Sequence, residues 1–222
     1  LFALQTGASP QEASARMRAI LKLMAGDQLQ QAADECRALI ESHPDLSAPY
    51  NKLVIIAARS GQLNQTERYF ETLSETNPRA FYSLGQIRNE RKEYQAAFDY
   101  QVKCLNGLPG FLPAAIALAQ VAMELKKPGD AEKFFRSRPT EAGFAYGLGE
   151  LFRLQQKFNP ALDMMEQALR LNPQLVEAKS SKVLIHYFMG RKTEALEGCE
   201  EMLRVYTEDR EPERRYLMQF YK

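Results

Sequence analysis

The chain has 222 residues, with 29 Lys and Arg against 28 Asp and Glu, 45% hydrophobic residues, 3 Cys, 2 His and no Trp. That balance is the balance of a folded chain, because disorder requires low hydrophobicity joined to high net charge. A formal net charge of +1 is too small to attract nucleic acid or an anionic membrane, and the halves on either side of residue 111 hold 12 bases with 12 acids and 17 with 16.

Residues 1–10 read as an N-terminal stub or the end of a preceding helix, and a start on Leu1 rather than Met is that of a processed or excised piece. Prolines then punctuate the chain. Pro44, Pro78, Pro109, Pro139 and Pro173 stand 34, 31, 30 and 34 residues apart, which is the spacing of internal repeats. Units of two helices joined by a short turn follow over residues 11–45, 46–78, 79–111, 112–140, 141–174 and 175–206. Their turn signals are Gly26-Asp27, Gly61-Gln62, Lys92-Glu93, Gly129-Asp130, Asn159-Pro160 and Gly190-Arg191. No unit offers the alternation of a strand, so the fold class is all-α. Gly61 and Gly190 fall where a first helix needs a left-handed end, and Asn159 is placed as an N-cap with Pro160 at the first helical position. In the fourth unit Lys127-Pro128-Gly129 and Pro139 predict a late, shortened second helix and a local change of curvature. Over 207–222 a capping helix is expected, starting near Pro212 and laying Tyr216, Leu217, Phe220 and Tyr221 over the last unit.

The fifth unit carries the fullest pattern: Leu148-Gly149, Phe152, Phe158, Ala161, Met165, Ala168 and Pro173. The small residue that opens the second helix recurs as Ala32, Ala97, Ala131, Ala161 and Ala195, with Thr66 the exception. These residues resemble the tetratricopeptide repeat, over about residues 11–206. Small side chains suit those slots because packed helices approach to roughly 8–10 Å. The aromatic slot early in the first helix is never Trp and is filled by Tyr50 and Phe81 in units two and three. The resemblance implies a right-handed α-α superhelix, a solenoid whose first helices line a concave surface and whose second helices form the convex back. It further implies a non-catalytic scaffold or adaptor for protein–protein interaction. The Lys and Asn that hold a C-terminal carboxylate in the chaperone-binding subclass are absent, since Met17 and Leu21 stand in their place and Asn51-Lys52 lacks its companions.

Residues that could carry chemistry are sparse. Cys36, Cys104 and Cys199 are scattered on second helices and read as small buried apolar residues, which fits a reducing compartment better than a disulfide framework. His186 reads as a core histidine, and His43 has no spaced partner, so neither metal nor cofactor is expected. The run Gly143-Phe144-Ala145-Tyr146-Gly147-Leu148-Gly149 follows no strand and precedes no Lys-Ser, so close packing explains its glycines better than phosphate binding. Glu150 has no second carboxylate beside it, and the clusters Arg91-Lys92 and Arg214-Arg215 read as solvated faces.

Projection of the first helices at 3.6 residues per turn places Met17, Leu21, Met24, Asn51, Ile55 and Arg59 on the inward wall of units one and two. Tyr82, Gln86, Asn89, Gln120 and Met123 follow in units three and four, then Tyr146, Glu150, Arg153, Leu184 and Tyr187. The wall is thus expected to be apolar at its start and rich in tyrosine and amides beyond. Amides can satisfy both polar groups of a peptide backbone, while Arg59, Arg79 and Arg153 could fork onto a partner carboxylate. The expected partner is a peptide or helix of another protein, with neither nucleic acid nor membrane insertion. Three further readings stay open: the interaction region of a larger transferase, secretion or assembly protein, a self-assembling scaffold joined through its ends or exposed aromatics, and an enzyme, for which no residue set is found. A cytoplasmic location is expected, with periplasmic or membrane-tethered ones left open.

Overall fold

The computed structural model describes residues 10–205, and the readings made above for residues 1–9 and 207–222 lie outside them. The described residues form twelve helices and no strand. These are α1 (Pro10–Ala25), α2 (Leu29–Ser42), α3 (Ala48–Ser60), α4 (Leu63–Leu73), α5 (Arg79–Glu90) and α6 (Tyr94–Gly107), then α7 (Leu112–Glu124), α8 (Pro128–Arg136), α9 (Ala142–Leu154), α10 (Phe158–Leu171), α11 (Val176–Phe188) and α12 (Lys192–Val205). They divide between Leu108 and Pro109 into two compact units, α1–α6 and α7–α12.

One turn design joins the first helix of each pair to the second. A single residue takes the left-handed conformation in each: Asp27, Gly61, Lys92, Lys126, Gln156 and Gly190, with φ between 56° and 73°. The next N–H then reaches back five residues, as in Gln62 to Ala57 at 2.8 Å, Lys127 to Ala122 at 2.9 Å and Lys157 to Phe152 at 2.9 Å. This bond satisfies a carbonyl that the helix end would leave open. Gly61 and Gly190 take the expected conformation. Asn159 does not cap a helix; α10 starts at Phe158 after Lys157, so Asn159 and Pro160 lie inside its first turn.

Five residues after each left-handed turn comes the small-residue slot. Ala32, Thr66, Ala97, Ala131, Ala161 and Ala195 are all buried, at 0 to 7% exposure. Three second helices, α2, α6 and α10, end in non-helical residues directly ahead of a proline, His43, Leu108 and Asn172, because a residue before proline is pushed out of the helical region. In the α1–α6 unit Tyr50 fills the aromatic slot, fully buried against Phe70 at 6.1 Å. Its hydroxyl donates to Pro44 O at 2.9 Å and accepts from Asn77 Nδ2 at 2.7 Å, which anchors the turns on both sides of α3 and α4.

In the second unit, the glycines of α9 are contact points. A Cβ on Gly147 would stand 2.6 Å from Phe135 Cζ, one on Gly149 2.7 Å from Met165 Cε, and one on Gly143 would strike Pro109 O. This buried wall is completed by Phe135 and Phe144, whose rings meet edge to face at 6.0 Å. The helix α8 is shortened to nine residues as expected, but it starts at Pro128 itself, with the ring at its first position.

Candidate functional site

The α1–α6 unit places nine of the expected wall residues on its three first helices. On α1, Met17 and Met24 are half-buried and Leu21 is 48% exposed; on α3, Asn51 is half-buried, while Ile55 at 37% and Arg59 are exposed. An apolar cavity of about 250 Å³ lies beside Met17, walled by Ala13, Ser14, His43, Asp45, Leu46 and Ala48. Arg59 is already engaged: its Nη2 donates to Asp27 Oδ1 at 3.0 Å and its Nη1 to Met24 O at 3.2 Å. On α5, Gln86 and Asn89 are half-buried, but Tyr82 is only 5% exposed. Its hydroxyl accepts from Gln86 Nε2 at 3.1 Å, and burial pushes the phenol above its ordinary range. Tyr82 is therefore part of the α5–α6 packing, where Gln101, fully buried, donates from Nε2 to Tyr82 O at 3.2 Å.

In the α7–α12 unit Gln120 and Tyr187 are exposed, Met123 and Leu184 half-buried, and Tyr146 and Glu150 buried at 4%. Glu150 is the centre of a closed set. Arg153 Nε and Nη2 donate to its Oε2 at 3.0 and 2.6 Å, and Ser181 Oγ donates to its Oε1 at 2.7 Å. The set ties α9 to α11, so Glu150 and Arg153 act within the chain, and a guanidinium bonded twice to one carboxylate is not open to a partner's. Ser181 is invisible as a partner in the sequence, because nothing there says which helix face meets α9.

Two more charged groups sit differently from their sequence reading. Arg91 is no solvated charge: its Nη1 donates to Glu67 Oε2 at 2.7 Å and its Nη2 to Asn64 Oδ1 at 2.7 Å, while Arg88 pairs with the other oxygen of the buried Glu67. His186 is not a core histidine. It is half-buried on the wall of a cavity of about 340 Å³ between α10, α11 and α12, with Lys179, Lys182, Glu194, Glu197 and Glu201 around it. Burial, then Arg191, holds its pKa below the ordinary imidazole value. The three cysteines are buried as expected, and burial pushes Cys36 and Cys104 up to about 12.

No protein-family model matches the chain, and no curated protein matches it. Solved structures do resemble it. PilF of Pseudomonas aeruginosa is 15% identical, over 88% of this chain and 92% of that one, with a TM-score of 0.42. A tetratricopeptide repeat protein of Parabacteroides merdae is 14% identical over 89% and 81%, with a TM-score of 0.48. A thermophilic protein of the same repeat type from Thermus thermophilus is 14% identical over 78% and 98%, with a TM-score of 0.45. Among the described residues the chain is an all-α array of paired helices with one left-handed turn inside each pair, a buried small slot five residues on, and prolines between pairs, the architecture that its resemblance to the tetratricopeptide repeat implies. Among the described residues, no helix is long and apolar enough to cross a membrane.

Proposed function

We propose that the chain is a non-catalytic interaction scaffold that holds an apolar segment of another protein against α1 and α3. The observation that carries this reading is the pair Leu21 and Ile55, exposed on the first helices of successive repeats, with Met17 and Met24 half-buried on α1 and a cavity of about 250 Å³ beside Met17. Water contact at these side chains is unfavourable by roughly 25 cal/mol per Å² of apolar surface, so a partner that covers them gains directly. Methionine adapts to the shape of what it meets, which suits Met17 and Met24 to the rim of such a site. Asn51 and Lys52, half-buried on α3, supply the polar edge.

Preformed helices reduce the ordering cost of binding, which falls on the partner segment alone. A photoreactive residue at position 21 or 55 should crosslink to a protein partner, while one at Lys103 on α6 should not. Equal labelling from all three positions would remove the α1–α3 face as the site. Leu21→Arg combined with Ile55→Asp should abolish recovery of that partner and leave the thermal midpoint unchanged, since neither side chain is buried.

A further inference from the structure

The six helix-to-helix turns differ between the two units in how their charges are used. In α1–α6, Asp27 pairs with Arg59 at 3.0 Å, Arg88 with Glu93 at 2.8 Å and Arg91 with Glu67 at 2.7 Å, so these turns are internally compensated. In α7–α12 the turns hold Lys126 and Lys127, then Lys157, then Arg191 and Lys192, all exposed, with no carboxylate inside any of the three turns. Among the described residues the side chains of Lys126, Arg191 and Lys192 form no ion pair, and Lys157 Nζ lies 5.9 Å from the Phe152 ring. Glu124, Asp130 and Glu194 flank the row, set back along their helices.

Exposed aromatics stand in the same row. Tyr187 is 63% and Phe188 52% exposed at the end of α11. Phe188 stacks on Phe158 of the neighbouring turn at 6.2 Å and meets Tyr187 at 6.1 Å, so the two turns are held edge to edge by rings. The result is a line of helix ends that presents Lys126, Arg191 and Lys192, without an ion pair among the described residues, together with rings left in water.

We propose that this turn edge of α7–α12 docks on an anionic phospholipid surface, with Tyr187 and Phe188 at headgroup depth and the Lys and Arg side chains on the lipid phosphates. Aromatic side chains favour that layer, and each basic group close to an anionic leaflet adds an attraction that salt screens. An acidic polypeptide satisfies the charges, whereas a lipid interface takes both the charges and the exposed rings of Tyr187 and Phe188 at headgroup depth. The docking is peripheral and uses none of the α1 and α3 residues. Charge arithmetic hides it, because the half after residue 111 holds 17 bases against 16 acids and so cancels these turns against carboxylates elsewhere on its own helices.

The test is sedimentation of the 222-residue chain with phosphatidylcholine vesicles that contain phosphatidylserine and with phosphatidylcholine vesicles alone. Binding is expected only to the first, falling with added salt. Lys126→Ala, Arg191→Ala and Lys192→Ala should each weaken it by about five-fold, while the exposed Lys22→Ala on α1 should not. Tyr187→Ser with Phe188→Ser should weaken it at unchanged net charge, and circular dichroism checks that each variant keeps its helices. No binding to serine-containing vesicles, or binding indifferent to these substitutions, overturns the proposal. Capture of a polyglutamate peptide without vesicle binding assigns the turns to an acidic protein instead. A photoreactive residue at 187 that crosslinks to residues 206–222 in the absence of vesicles assigns the patch to the chain's own tail, and likewise overturns it.

Discussion

Single atoms decide whether α9 can sit where it does. Gly147 faces Phe135, which is 1% exposed and packed against Phe144, so an added methyl has no room and the ring has nowhere to turn. Overpacking of this kind costs about 1–3 kcal/mol. Gly147→Ala should therefore lower the urea midpoint, whereas Gly129→Ala in the first turn of α8, with nothing near its Cβ, should raise stability by about 0.5–1 kcal/mol through helix propensity. A loss at both positions would show that backbone conformation rather than contact sets the need for glycine. The buried thiols give a second test at this scale. Cys36 and Cys104, held near 12 by burial, stay protonated in the folded chain even at alkaline pH, and the thiolate is the reacting form. Folded-state alkylation at about pH 9, just above the ordinary thiol range, should then be far slower than in urea; equal rates would mean that these slots open to solvent.

Helix ends are where the sequence is most and least legible. The period of the prolines, the all-α class and the alanine slots can be read directly, because each follows from backbone chemistry or from one recurring spacing within this chain. Two of the six left-handed turn residues cannot, because Lys126 and Gln156 bear side chains in a conformation that signals itself best when glycine fills it, whereas Asp27 and Lys92 fall within expected turns. The expected turn at Gly129 and cap at Asn159 fail for that reason: the true reversals lie three residues earlier, at Lys126 and Gln156. The wall of side chains is legible in helical phase but not in burial. Tyr82, Tyr146 and Glu150 project on the expected stripe and are buried; Gln86 takes up the Tyr82 hydroxyl, while Ser181 and Arg153 take up the Glu150 carboxylate. A left-handed residue with a Cβ costs roughly 1–2 kcal/mol. Gln156→Gly relieves that strain at some cost in unfolded-chain entropy, so a net gain of up to about 1 kcal/mol is expected, while Gly190→Ala at φ +73° should lose stability. Denaturant curves for the two variants decide it, and movement in the same direction would contradict the turn assignment.

Across the molecule, each helix packs mainly on helices next or next but one along the chain, as in α1 with α2, α3 with α5, α9 with α10 and α9 with α11. Stability in such an array is the sum of local terms rather than one shared core, so damage should stay local. Glu150 provides the sharpest probe, because it joins α9 to α11 through Ser181 and holds Arg153 at once. Glu150→Gln keeps the volume and one acceptor but withdraws the charge from a half-buried guanidinium, a loss of about 1–3 kcal/mol for a charge-assisted bond. Amide hydrogen exchange should then quicken in α9 to α12 and remain unchanged in α1 to α4. A uniform loss of protection over all twelve helices would mean that the chain unfolds as one cooperative body and that its repeats do not act as separable units.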